Sequence, residues 1–433
     1  MKKKKIVTII LIIVIILIVV GAIFWYFFMR PVTQSAGTTT SPTTGYSPFG
    51  RPSTGNNFGT TTTNNNNGNN VTPTIVKVPA LRLLSATPIG GYGASTTAST
   101  TVVRWIDRGR GNILQASENS LDIQTLSNTL LPKMYESVWG KGINSLIGSI
   151  LGDDDATIST IYAALLPQGN VNQKTGTSTP ANTNNSSLAP YKLQGKNLPA
   201  GIVSYATSPK KDRVFLFAVQ GGQGIGYVAP FNGGTATEIF NTPVTQVNID
   251  WPEANTISIT TKGSATDNGY LYFVSPTTGT WKKILGPLPG MSAIVSHDAR
   301  YAIVSAAGNA NNVVTYIYSI ATSTATDAII RTLADKCVWG NFYKDMVYCA
   351  VPFQPVSGTY PDDWYKGTLS TVDKIWQENA ATGEVHLISS VFEQARTNID
   401  AFNLGLDDKD NYLFFMNKLD LSFWSLDLVD SNQ

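Results

Sequence analysis

The chain has 433 residues, of which 42% are hydrophobic and only 14% charged. Five of the 31 basic residues, Lys2 to Lys5 and Arg30, flank a single segment, which leaves 26 basic residues against 29 acidic ones elsewhere. The remainder has no basic stripe, which argues against nucleic acid as a partner, and two Cys with two His argue against a clustered zinc site.

Residues 1–5 read as a cytoplasmic basic tail. Residues 6–29 carry no charge and end in the aromatic cluster Phe24 to Phe28. A hydrocarbon core takes about 20 apolar residues to cross, and lysines before such a run mark the cytoplasmic side. A cleavable signal peptide is the rival, but its apolar stretch is shorter and ends in small residues. The expectation is a transmembrane signal-anchor helix over 6–29, with the lipid bilayer as partner and the C-terminal body extracytoplasmic. Residues 30–78 are rich in Thr, Asn, Gly, Ser and Pro. They cannot bury enough apolar surface to offset chain entropy and read as a disordered linker.

From 79 to 433 a strand-ending phrase recurs seven times, as at Leu83-Leu84-Ser85, Ile239-Phe240-Asn241 and Leu387-Ile388-Ser389, and four of the six intervals fall in the forties. A repeat of that length with several short strands per copy predicts a β-propeller. The first strands of the seven blades read as 88–92, 135–139, 202–207, 246–251, 292–296, 336–340 and 398–404. The last strand of blade five reads as 328–333. Blade seven lacks a fourth strand, and 81–85 has no blade of its own. The expected fold is an all-β, seven-bladed propeller closed by that N-terminal strand, following the membrane helix and linker. Trp139, Trp251 and Trp339 end first strands. They suit either an aromatic rim or wedges between blades, and packing is the commoner use of tryptophan area.

Ser296-His297-Asp298-Ala299-Arg300-Tyr301 resembles the Ser-Pro-Asp-Gly-Arg turn of TolB-like and WD-like bacterial propellers, and Ser208-Pro209-Lys210 is a partial second copy. The stretches 128–139, 336–341, 347–352 and 360–367 resemble uncharacterised membrane-anchored propellers of uncultured bacteria. These resemblances imply a fold and no activity.

Two intervals are long. The polar stretch 168–188 reads as a disordered excursion. The stretch 352–371 carries Tyr360, Asp362, Asp363, Trp364 and Tyr365, which suit either contact with a partner or a cap over the blade edge. Cys337 and Cys349 fall opposite one another in a hairpin centred on Tyr343, and the expected compartment permits a disulfide; two buried thiols are the alternative. The acidic turns 153–155 and 407–411 lack the ligand spacing of a calcium loop and read as solvated. His297 reads as a plain turn residue, and no serine stands in a nucleophile elbow. The first functional expectation is a non-catalytic scaffold for an extracytoplasmic protein or envelope polymer, with no cofactor. The alternative is a hydrolase or lyase with its site in the central channel. Three or more converging ionisable groups there decide against the scaffold.

Overall fold

The computed structural model describes residues 78–97, 100–168, 190–308, 312–356 and 358–429. Their strands form seven four-stranded antiparallel sheets. Six are meanders of consecutive strands. The seventh combines Ala401–Leu406, Tyr412–Asn417 and Phe423–Asp427 with Leu81–Ser85 as its outermost strand. The first strands are Ile89–Thr97, Met134–Trp139, Ile202–Thr207, Val247–Glu253, Ser292–Val295, Cys337–Trp339 and Ala401–Leu406. From the first blade to the seventh, each first strand packs against the next, so these strands line the axis of the ring.

Composition follows position within each blade. Second strands such as Arg213–Gln220 (RVFLFAVQ) and Tyr412–Asn417 (YLFFMN) are almost continuously apolar and buried, because neighbouring blades cover both faces. Outermost strands such as Ile123–Thr125 and Thr324–Asp327 are exposed throughout and rich in Thr. Trp139, Trp251 and Trp339 are buried wedges, and the Trp339 indole donates to the Ile294 carbonyl of the preceding blade at 3.1 Å.

The outer strand of blade five is Thr324–Asp327 rather than 328–333. Glu378 of blade six is buried and accepts the backbone N–H groups of Ile329 and Ile330 at 3.3 and 3.1 Å. Thr332 then donates its hydroxyl to the Ala350 carbonyl at 2.7 Å. These bonds draw the segment out of its own sheet and onto the next blade.

The expected architecture is corrected in one respect. Among the described residues no helix is long and apolar enough to cross a membrane, and the two α-helices are the short turns Asp362–Tyr365 and Val391–Ala395. The expected signal-anchor over 6–29 and the expected linker over 30–78, except its last residue Val78, lie outside the described residues. No described element therefore carries a lipid-bilayer partner, a single-pass topology with a cytoplasmic N-terminus, or an extracytoplasmic placement of the ring.

The ring closes between blades seven and one. Leu81 faces Leu426 and Leu83 faces Trp424 in the closing ladder. Arg82 reaches from that strand into blade one and donates to the carbonyls of Ser117 and Ser120 at 3.1 and 2.7 Å. Asp407 of blade seven accepts the Thr96 and Thr101 hydroxyls of blade one at 2.9 and 2.8 Å. Within the same seam Glu118 is 5% exposed and accepts only the Ser425 hydroxyl, at 3.3 Å. Burial, only partly offset by Arg82, pushes its carboxyl up to about 7. The folded protein therefore holds a proton that the unfolded chain releases above its ordinary 4.5. Stability falls as pH rises from about 4.5 to about 7, and the penalty is full above that window. Glu118→Gln is expected to add roughly 2–3 kcal/mol at pH 8 and little at pH 4. Urea denaturation across that range checks this, and an unchanged pH slope counts against it.

Candidate functional site

In a meander blade the start of strand one and the loop from strand two to strand three lie at one end of the ring, and the turn from strand one to strand two lies at the other. Ionisable groups gather at both ends.

At the first end, the 352–371 insertion joins strands two and three of blade six and folds inward. Tyr360 and Trp364 are buried and pack with Leu333. Asp362 accepts the Ala265 N–H at 2.6 Å and the Ser264 hydroxyl at 3.2 Å from the corresponding loop of blade four. Asp363 accepts the Thr359 N–H at 2.8 Å within the loop itself. The Tyr365 hydroxyl donates to Asp335 at 2.9 Å, and Asp335 also accepts the Ser292 hydroxyl. All five loop residues thus lie in a cap, and Tyr365 alone among them keeps a substantially exposed ring.

Beneath the cap Lys336 is fully buried. Its ammonium donates to Asp400, to Asp373 at 2.7 Å and to the Thr371 hydroxyl at 2.7 Å. Trp364 Nε1 lies 3.1 Å from both Asp400 oxygens, and the ammonium groups of Lys336 and Lys418 lie 5.2 and 5.1 Å from the centre of the Trp364 ring. The Ala401 N–H completes Asp373 at 2.7 Å. Burial alone raises the Asp400 carboxyl, but Lys336, Trp364 and Thr371 together hold it below its ordinary range. Burial pushes Asp373 up against the pull of Lys336. Each charge already has its partners, so this knot holds the cap and leaves no donor set for an ion. Among the described residues no three His, Cys, Asp or Glu side chains group to bind a metal.

Cys337 follows Lys336 directly. It is paired in register with Cys349 on the adjacent strand, and the two sulfurs are bonded. The bridge spans the base of the hairpin whose turn carries Phe342, Tyr343 and Lys344.

At the second end, four consecutive blades bring ionisable groups together. Asp250 lies near the end of the first strand of blade four. His297 lies in the one–two turn of blade five, Lys344 in that of blade six and Asp410 in that of blade seven. Both Asp250 and His297 are partly exposed. Burial lowers the His297 pKa below 6.5, and Asp250 and Asp410 pull it up while Lys344 adds to the lowering. Burial raises Asp250, opposed by His297 and by the Trp251 N–H that it accepts at 2.7 Å. Burial thus favours the neutral imidazole, against the pull of Asp250 and Asp410. Asp410 is no solvated turn residue. It is 5% exposed and accepts the N–H groups of Asn341, Phe342 and Tyr343 at 2.8, 3.0 and 2.8 Å.

The expectation of a membrane-anchored scaffold is corrected, because among the described residues no helix is long and apolar enough to cross a membrane. Sequence reasoning passed over both clusters. The signals available were a charged residue just before the first strand in blades six and seven, and a histidine where the turn motif carries proline.

No family model matches the chain, and no curated protein matches it. Solved structures of similar shape are an oligogalacturonate lyase from Vibrio parahaemolyticus, TolB from Acinetobacter baumannii and the propeller domain of the trilobed protease from Pyrococcus furiosus. The lyase has a TM-score of 0.47 at 8% identity over 79% of this chain and 92% of its own. TolB has 0.41 at 11% over 78% of each. The protease domain has 0.47 at 11% over 78% of this chain and 97% of its own. The chain is a seven-bladed β-propeller. The likeness does not extend to a particular membrane-anchored family.

Lys336→Ala leaves two buried carboxylates unpaired and is expected to cost about 3–5 kcal/mol. The deficit in a urea titration shrinks from pH 8 to pH 5 as those carboxylates take up protons. A deficit independent of pH, or none, argues against the knot. A non-reducing peptide map is expected to recover residues 337 and 349 in one linked fragment, and recovery of two free thiols excludes the bridge.

Proposed function

We propose that the second end of the channel carries the acid–base site of a hydrolase or lyase. His297 is the general base and Asp250 the carboxylate that orients it and steadies the imidazolium formed in the reaction. In hydrolysis the imidazole takes a proton from water as its oxygen attacks, and returns that proton to the leaving group. In elimination it takes the proton from carbon, the electrons of that C–H bond form the new double bond as the bond to the leaving oxygen breaks, and the imidazolium returns the proton to that oxygen. Lys344, in the one–two turn of the next blade, is the cation that would offset negative charge developing on the substrate. The observation that carries this reading is the placement of His297 and Asp250, both partly exposed, on adjacent blades at the same end of the ring, where burial lowers the imidazole pKa. Ionisable groups perturbed by burial and by one another at a cleft mark a candidate functional site.

The test is an activity panel spanning oligogalacturonate and N-acylated peptides, with the full chain and with His297→Gln. The variant is expected to retain its melting temperature and to lose about 10²- to 10⁴-fold in kcat/KM. The wild-type rate is expected to fall as pH drops through the imidazole pKa, below 6.5. An active His297→Gln protein, a flat pH profile, or a folded wild type inert on the whole panel overturns the reading.

A further inference from the structure

Three tryptophans lie at or near the ends of first strands, and they are not alike. Trp139, Trp251 and Trp339 are all buried. The indole N–H groups of Trp139 and Trp251 find no acceptor among the described residues. The Trp339 indole has one, the Ile294 carbonyl of blade five at 3.1 Å. Ile294 stands on the strand that leads directly into His297. Packing alone accounts for the first two rings, and the third is tied to the blade that carries the imidazole.

The turn around His297 is closed at its base. The Ser296 N–H donates to the Tyr301 carbonyl at 2.9 Å, and the Tyr301 N–H to the Ser296 hydroxyl at 3.0 Å. Blade six then holds this turn from the side. The Tyr301 ring lies nearly parallel to the Trp339 ring, with centres 6.4 Å apart. Arg300 bridges from the turn to Asp345 of blade six. The imidazole of His297 itself donates to the Trp339 main-chain carbonyl. That carbonyl sits on a strand clamped sideways, since Trp339 pairs with Val347 and Cys337 is bonded to Cys349.

The last of these contacts decides how the ring can act. A neutral imidazole has one N–H and one bare nitrogen. An N–H spent on a carbonyl fixes the tautomer and leaves the other nitrogen as the base. Charge reaches the ring from three blades: Asp250 of blade four and Asp410 of blade seven favour the imidazolium, and Lys344 of blade six opposes it. The ring is thus oriented by a carbonyl as well as by the charge of Asp250.

We infer that Trp339 is a positioning residue of the candidate acid–base site: its carbonyl fixes the tautomer of His297, and its indole and ring fix the turn that carries the histidine. A misplacement of about 1 Å at a reacting group costs on the order of a hundredfold in rate, so the aim of the ring matters as much as its basicity. The inference rests on the acid–base reading for its chemistry and not for the geometry of the ring.

Nitrogen-15 NMR of the imidazoles in the full chain tests it. The chain has two histidines, and the exposed His386, beside Glu384, serves as the internal reference. Wild-type His297 is expected to show a single tautomer at pH 8. Trp339→Phe removes the indole donor, keeps an aromatic ring, and is expected to mix the two tautomers. Trp139→Phe alters an equally buried ring in blade two and is expected to leave His297 as it is. On a substrate that the wild type turns over, Trp339→Phe is expected to lower kcat about tenfold with KM changed less than about twofold. Mixed tautomers in the wild type, an unchanged single tautomer in Trp339→Phe, equal mixing in Trp139→Phe, or a rate loss carried by KM overturns the inference. The wild-type spectrum tests the carbonyl contact without any substitution. A wild type inert on the whole panel removes the acid–base reading alone, because the tautomer is read without turnover.

Discussion

Five residues close the ring. Leu81–Ser85 pairs with Phe423–Asp427, strands that lie at opposite ends of the described chain, and the convergence of seven first strands on one axis follows from that pairing. A propeller left open there would expose the backbone edge of Phe423–Asp427, a row of unpaired donors and acceptors that other chains can template upon. The ladder is short, and side chains reinforce it across the seam: Arg82 into blade one, Asp407 onto two threonine hydroxyls, and the Tyr92 hydroxyl onto the Asn403 carbonyl at 2.6 Å.

The two ends of the channel use charge in opposite ways. Under the cap, Lys336, Asp373 and Asp400 are wholly withdrawn from solvent, and each is surrounded by partners of the complementary kind. Breaking such a set is costly, while replacing it entirely by apolar groups often costs nothing, so its worth lies in specifying where the insertion docks. At the other end Asp250 and His297 are only partly covered, and burial lowers the imidazole pKa against the pull of Asp250 and Asp410. One cluster has spent its hydrogen-bonding capacity on structure, and the other keeps some for a visitor.

The blades were legible in sequence because each repeats the same gradient, from an apolar second strand to a polar fourth one, and because the orphan strand 81–85 had one vacant position to fill. The outer strand of blade five was misplaced because Glu378, far along the chain, captures two N–H groups that local pattern assigns to a sheet. The knot was illegible for a similar reason: Lys336 and Asp400 are 64 residues apart, and nothing near either one announces the other. His297 looked like turn filler because its neighbours in sequence are turn residues, while its neighbours in space come from three other blades. The loop aromatics Tyr360 and Trp364 were noticed, but sequence left contact and cap equally open.

Cys337–Trp339 is the shortest first strand of the seven, and it joins the two ends of the channel almost directly. Lys336, anchoring the cap, stands immediately before it, and the turn with Phe342 begins just after it. At about 3.3 Å per residue the strand spans roughly 10 Å. A displacement of the cap thus has a single stiff rod, clamped sideways to Cys349, through which to reach the opposite rim. The two faces of this ring are mechanically one object at blade six, so insertion and rim must be altered together or not at all.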